Sequence, residues 1–92
     1  QLSSVPLPLQ EVQFGAERVR PGVALRWEVS GHAWATAFRV ESSNDGGRHW
    51  RLVARVPRDG SRHFTTLDGQ AGPSRAIYRL WLRAPDGREA YG

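Results

Sequence analysis

The side chains best suited to chemistry here are three histidines, nine acids and the serines. Their spacing decides what they can do. His32, His49 and His63 fall on separate segments, with no His-x-His or His-Glu-x-x-His interval to bring two imidazoles onto one metal ion. Without Cys, thiolate sites and disulfides are both excluded. No Gly-x-Ser-x-Gly elbow presents a serine, and no buried acid is evident to orient a histidine as a base. Glu11, Glu17, Glu28, Glu41, Asp59 and Glu89 read as turn or solvent-facing residues, with no recognisable catalytic pair. Glycine-rich phosphate loops are missing. The pattern points away from an enzyme and implies no cofactor.

Two constellations remain. Ser43-x-Asp45-x-Gly47-x-x-Trp50 has the spacing of a self-capping turn. Asp45 can accept from turn amides, Gly47 can take an unusual φ, and Trp50 can pack beneath. The pattern resembles the Asp-box of sialidase-like propellers, where it is structural and recurs blade after blade. One copy in a chain this short implies a structural turn and no glycan chemistry. The second constellation is Ile77-x-Arg79-x-Trp81-x-Arg83, which alternation places on one outward row, with Trp34 on a nearby connection. An exposed Trp flanked by Arg could stack on a sugar ring, meet a neighbouring domain, or be covered by its own arginines. These residues are the candidate ligand or domain interface.

Positioning them falls to β-strands. Phe38 to Val56 alternates on both sides of Asn44-Asp45-Gly46-Gly47 and reads as a hairpin with a tight turn. Residues 1–8, with Pro6 and Pro8, read as an extended linker, and 9–92 as one domain. Leu9 to Val19 is a first strand with Gly15 as a bulge candidate. Val23 to Val29 is a half-buried second strand, with Val23, Leu25, Trp27 and Val29 on one face. His63 to Leu67 and Ala76 to Arg83 are further strands, and Arg88 to Gly92 closes the chain. Seven short β segments separated by turn chemistry predict an all-β antiparallel sandwich of the fibronectin type III/immunoglobulin-like class. Its expected core is Val23, Leu25, Trp27, Phe38, Val40, Trp50, Leu52, Tyr78, Leu80 and Leu82. Tyr78 is also a candidate for the corner tyrosine of such sandwiches.

Ninety-two residues make one small core, burying only roughly 60–65% of the unfolded surface, so the nine aromatic residues matter. All thirteen basic residues are Arg, giving a net charge of +4. They are scattered through the chain and not blocked, so charge alone identifies no partner. Nucleic acid is disfavoured, because the sheet aromatics and loops of the usual modules are missing. No run of residues is long and apolar enough for a membrane span, and no signal peptide is visible. With no Met for initiation, the chain reads as a piece of something longer or a processed product.

One ordered set of residues carries a resemblance. It runs Leu7-Pro8-Leu9, Val12-x-Phe14-x-Ala16, Val23-x-Leu25-x-Trp27 and Phe38-x-Val40-Glu41-x-Ser43-x-Asp45-Gly46. It continues through Trp50-x-Leu52-Val53-Ala54-x-Val56, Phe64-Thr65-x-Leu67-Asp68, Tyr78-Arg79-Leu80 and Asp86-Gly87. Over about residues 7–91 the chain resembles the fibronectin type III-like module that precedes the C-terminal sorting domain of type IX secretion system cargo. It departs from that pattern at Gly31-His32-Ala33-Trp34-Ala35, where the family carries a longer polar insert. The resemblance implies a non-catalytic spacer or interaction module in an extracellular or cell-surface bacterial protein. Its partners would be neighbouring domains of the same polypeptide. The alternative expectation is an ancillary carbohydrate-binding sandwich that meets a polysaccharide through its Trp and Arg residues.

Overall fold

The computed structural model describes residues 12–20, 22–29, 35–71 and 75–91, with the Tyr91 side chain excepted. The linker at 1–8, His32 and Trp34 lie outside the described residues. Seven strands follow in order: β1 (Val12–Arg18), β2 (Val23–Val29), β3 (Ala37–Ser43), β4 (Arg51–Pro57), β5 (His63–Asp68), β6 (Ile77–Arg83) and β7 (Glu89–Tyr91). They form two antiparallel sheets, one ordered β1-β2-β5 and the other β4-β3-β6-β7. The protein is an immunoglobulin-like β-sandwich.

Alternation explains which face each strand buries. On β2, Val23, Leu25, Trp27 and Val29 are buried while Arg26 and Glu28 face out. They meet Phe38 and Val40 of β3, and Leu80 and Leu82 of β6, across the sandwich. Trp27 sits at the centre of an aromatic cluster. Its ring stacks on Phe64 at 5.7 Å and takes the edges of Phe38 at 5.5 Å and Phe14 at 6.4 Å. Offset and edge contacts of this kind add to the area such rings bury. The Trp27 Nε1 donor is buried without an acceptor among the described residues.

Two expected core residues lie elsewhere. The β3–β4 ladder shifts between Val40 and Glu41, so that Val40 faces Ala54 but Glu41 faces Leu52. One extra residue on β4 reverses the inside-outside parity of everything before it. Val53 therefore packs against the core, while Leu52 is 41% exposed. Trp50 shares the parity of Leu52 and is half-buried outside the core cluster. The bulge expected at Gly15 is not there either: β1 pairs with β2 in unbroken register, with Gly15 opposite Arg26. Tyr78 is half-buried and packs at the core's margin.

The registers also orient the chain. Val12 at the start of β1 faces Val29, and Glu89 at the start of β7 faces Arg83, which is itself opposite Ala37. Val29 and Ala37 flank the same connection, so β1 and β7 both start at one end of the sandwich. β1 and β7 therefore run the same way from that end.

Candidate functional site

The turn constellation folds as its spacing predicts, but it is wider than a tight turn. Residues 44–50 form the loop between β3 and β4. The Ser43 hydroxyl donates to Asp45 Oδ1 at 2.7 Å and accepts from the Gly47 amide at 2.9 Å. Asp45 Oδ1 also accepts from the amides of Arg48 and His49, both at 3.0 Å, and Oδ2 lies 2.6 Å from His49 Nδ1. Amide and side-chain donors from His49, with Ser43 and Arg48, hold the Asp45 carboxyl far below the usual carboxylate range. Gly46 and Gly47 both take positive φ, 78° and 95°, where a side chain would be strained. The Trp50 indole donates to the Gly47 carbonyl at 3.1 Å and its ring lies under that glycine. Ser43, Asp45, Gly47 and Trp50 thus close one structural turn. Every polar group that defines the motif is used in holding it.

The outward row on β6 is assembled as alternation predicts, and it is organised by a residue that alternation makes look ordinary. Glu41, on β3, receives the Arg79 guanidinium and the Trp81 indole N–H on one oxygen, both at 2.7 Å. Its second oxygen receives Arg39 at 3.2 Å, and Arg39 reaches on to Glu89 at 3.0 Å. The register explains the grouping, because Glu41 faces Arg79 and Arg39 faces Trp81 across the β3–β6 ladder. Burial pushes the Glu41 carboxyl up, but the donors from Arg79 and Trp81 and the nearby Arg39 outweigh it, and the net shift is downward.

The arginines also cover the rings. The Arg79 guanidinium lies 3.9 Å from the Trp50 ring centroid and 5.0 Å from that of Trp81, and Arg39 lies 5.0 Å from Trp81. Trp81 and Arg79 are therefore half-buried parts of a Trp–Arg stack. Ile77 and Arg83, at the two ends of the row, are exposed. Trp34, the fifth residue of the expected interface, lies outside the described residues.

A third polar arrangement has no counterpart in the sequence pattern. Asp68, at the end of β5, is only 2% exposed. Its Oδ2 accepts from Arg51 at 2.8 Å and from the Tyr78 hydroxyl at 2.9 Å, and its Oδ1 from the Gln70 amide at 3.1 Å. Burial pushes its carboxyl up, but donors from Arg51, Tyr78 and Gln70 bring it below the ordinary value. Burial, with the carboxylate beside it, raises the Tyr78 phenol. The corner tyrosine thus bonds a side-chain carboxylate, where such residues bond backbone. Asp68 is a buried acid, but its donors are Arg51, Tyr78 and the Gln70 amide and not a histidine. Nothing local marks it: Leu67-Asp68-Gly69 reads as the start of a loop, and only the β5–β2 pairing with Val23 carries Asp68 inside.

Among the described residues the remaining acids and histidines form no larger cluster. Glu28 and His63 lie 3.9 Å from each other and are both well exposed. Among the described residues no group of three or more His, Asp or Glu could hold a metal ion, and no helix is long and apolar enough to cross a membrane. Fold and polar arrangements together define a small immunoglobulin-like sandwich with a self-capped turn, a carboxylate-centred Trp–Arg stack and a buried corner carboxylate. No family model, curated protein or solved structure matches the chain.

Proposed function

We propose that the chain is a non-catalytic structural spacer and interaction module of a larger secreted or cell-surface bacterial protein, lying near its secretion sorting signal. The observation that carries this is the path of the chain. β1 and β7 both start at one end of the sandwich and run the same way, so a domain before β1 and one after β7 would be led off in opposite directions along the strands. The ordered likeness to modules next to type IX sorting domains supplies the bacterial, exported context. The outer face fits the role as well, since Glu41 and Glu89 tie Arg39, Arg79 and Trp81 into a fixed surface. Stacking of a sugar on Trp81 is disfavoured, because two guanidinium groups already lie against that ring.

The test has two parts. Reading the gene on both sides should find a catalytic or adhesive region upstream and a sorting-type domain downstream. A frame that closes just after Gly92 overturns the proposal. Small-angle scattering on the flanked protein and on a version lacking these residues should then differ in maximum dimension by about 23 Å, the length of a seven-residue strand. An unchanged dimension overturns it too.

A further inference from the structure

At the end of the sandwich where β7 starts, the outer face carries a hollow of about 210 Å³ lined by Arg39, Arg55, Pro57, Trp81, Arg83 and Glu89. Two cross-strand rows build it. In one, Arg55 faces Arg39 and Arg39 faces Trp81; in the next, Pro57 faces Ala37 and Ala37 faces Arg83. Like charges directly opposite each other destabilise a sheet unless something of opposite sign answers them. Glu41 and Glu89 answer Arg39. Arg55 and Arg83 have no such answer: neither guanidinium makes an ion pair among the described residues. Glu89 is the residue opposite Arg83 across the β6–β7 ladder, yet its carboxylate goes to Arg39.

We propose that this hollow binds one carboxylate-bearing ring of an acidic polysaccharide, through Arg55 and Arg83. Guanidinium groups match a carboxylate's two oxygens, and they suit this role better than ammonium groups would. Pro57 and the flank of Trp81 give an apolar surface against which the C–H face of a sugar ring can lie. The hollow is smaller than the roughly 300 Å³ at which drug-sized pockets begin, so it takes a single ring and not a buried oligosaccharide. It lies on an open sheet face, which leaves the polymer free to continue on both sides. The contact differs from stacking on Trp81, whose ring Arg39 and Arg79 occupy. It also stands apart from the spacer role, which depends on the path of the chain and not on this face.

The test is a titration of the protein with short oligogalacturonate, followed by amide NMR shifts. Saturable shifts are expected at 37–39, 55–57 and 81–83. The methyl ester of the same oligosaccharide, which keeps the ring and loses the charge, should not bind. Arg55→Gln and Arg83→Gln should each weaken binding about tenfold, the loss of one charge-assisted hydrogen bond. Both residues are exposed, and a native-like spectrum of each variant shows that it folds. Arg48→Gln, in the loop at the opposite end, should change nothing. An absence of saturable binding, an equal loss in Arg48→Gln, or tighter binding of polyglutamate or oligothymidylate than of the uronate overturns the proposal.

Discussion

The Tyr78 hydroxyl and Arg51 both donate to the same oxygen of Asp68, at 2.9 and 2.8 Å. Asp68 belongs to the three-stranded sheet, and its two donors belong to the four-stranded one. One buried atom therefore links the sheets by hydrogen bonds at the end where β5 crosses to β6. Removing the phenol should leave that carboxylate short of a donor it cannot replace from water. Tyr78→Phe is expected to cost about 1.5–3 kcal/mol, the range for hydrogen bonds to charged groups. Urea unfolding measures it, and a midpoint equal to that of the wild type would show that the bond adds nothing.

The same carboxylate sets an acid limb. Asp68 titrates below its ordinary 3.8 in the fold, and Glu41 below 4.5. Depressed carboxyls bind fewer protons folded than unfolded, so their stabilisation is complete above the unfolded values and is lost as pH falls through the folded ones. The melting temperature should be level above about pH 5–6 and decline steadily below that. Asp68→Asn should flatten part of the decline. A slope unaltered by that substitution would remove Asp68 as a source.

Glu41 holds three donors on two oxygens with its side chain 15% exposed. Glu41→Gln keeps the shape and withdraws the charge that Arg39, Arg79 and Trp81 share. A loss of about 2 kcal/mol is expected, given the hydrogen bonds to charge that are weakened. Tryptophan emission should shift to the red as Trp81 loosens. A variant of full stability with unchanged emission would show the stack to be held by packing alone.

Much of this is legible in the sequence because the signals are periodic. Strict alternation locates β2 and β6 and chooses their inner faces correctly, and the Ser43-to-Trp50 spacing specifies the turn, because each residue there acts on near neighbours. What escapes is whatever depends on cross-strand position. Counting back from Val56 puts Trp50 and Leu52 in the core, and a bulge that only pairing with β3 reveals reverses them. Glu41 looks like a solvent-facing acid and Asp68 like the start of a loop, because nothing along the chain shows that Arg79 and Trp81 lie 38 and 40 residues away beside one, and Arg51 and Tyr78 beside the other. Arg55 is one arginine among thirteen until the register sets it against Arg39.

The reversal at the bulge separates two large apolar residues experimentally. Trp27→Ala should cost about 3–5 kcal/mol, as for a buried large aromatic, whereas Leu52→Ser should stay within about 0.5 kcal/mol. Trp27→Phe should cost less than Trp27→Ala, since it keeps a ring in the cluster and leaves no buried donor unbonded. Thermal melts of the three variants check the order. Equal losses at positions 27 and 52 would contradict an outward-facing Leu52.

Gly22 tests a close approach of backbones. A Cβ there would collide with the Asp68 carbonyl, which is backbone and cannot swing aside. Gly22→Ala should destabilise by about 1–3 kcal/mol, the usual cost of overpacking. A melting temperature unchanged from wild type would mean that the β2–β5 junction is looser than its geometry.

The shared direction of β1 and β7, which both start at one end of the sandwich, has a mechanical side. Tension between flanking domains would run along the strands, loading the outer ladders in shear, so that their hydrogen bonds resist together and not one after another. The two ladders are unequal. Among the described residues β1 is joined to β2 from Val12 to Arg18, whereas β7 is joined to β6 only from Trp81 to Arg83. Under pulling, β7 would yield first and release chain length while the Trp27 cluster, on strands β1, β2, β3 and β5, stayed closed. The sandwich would then act as a tether with a short extensible segment at one end.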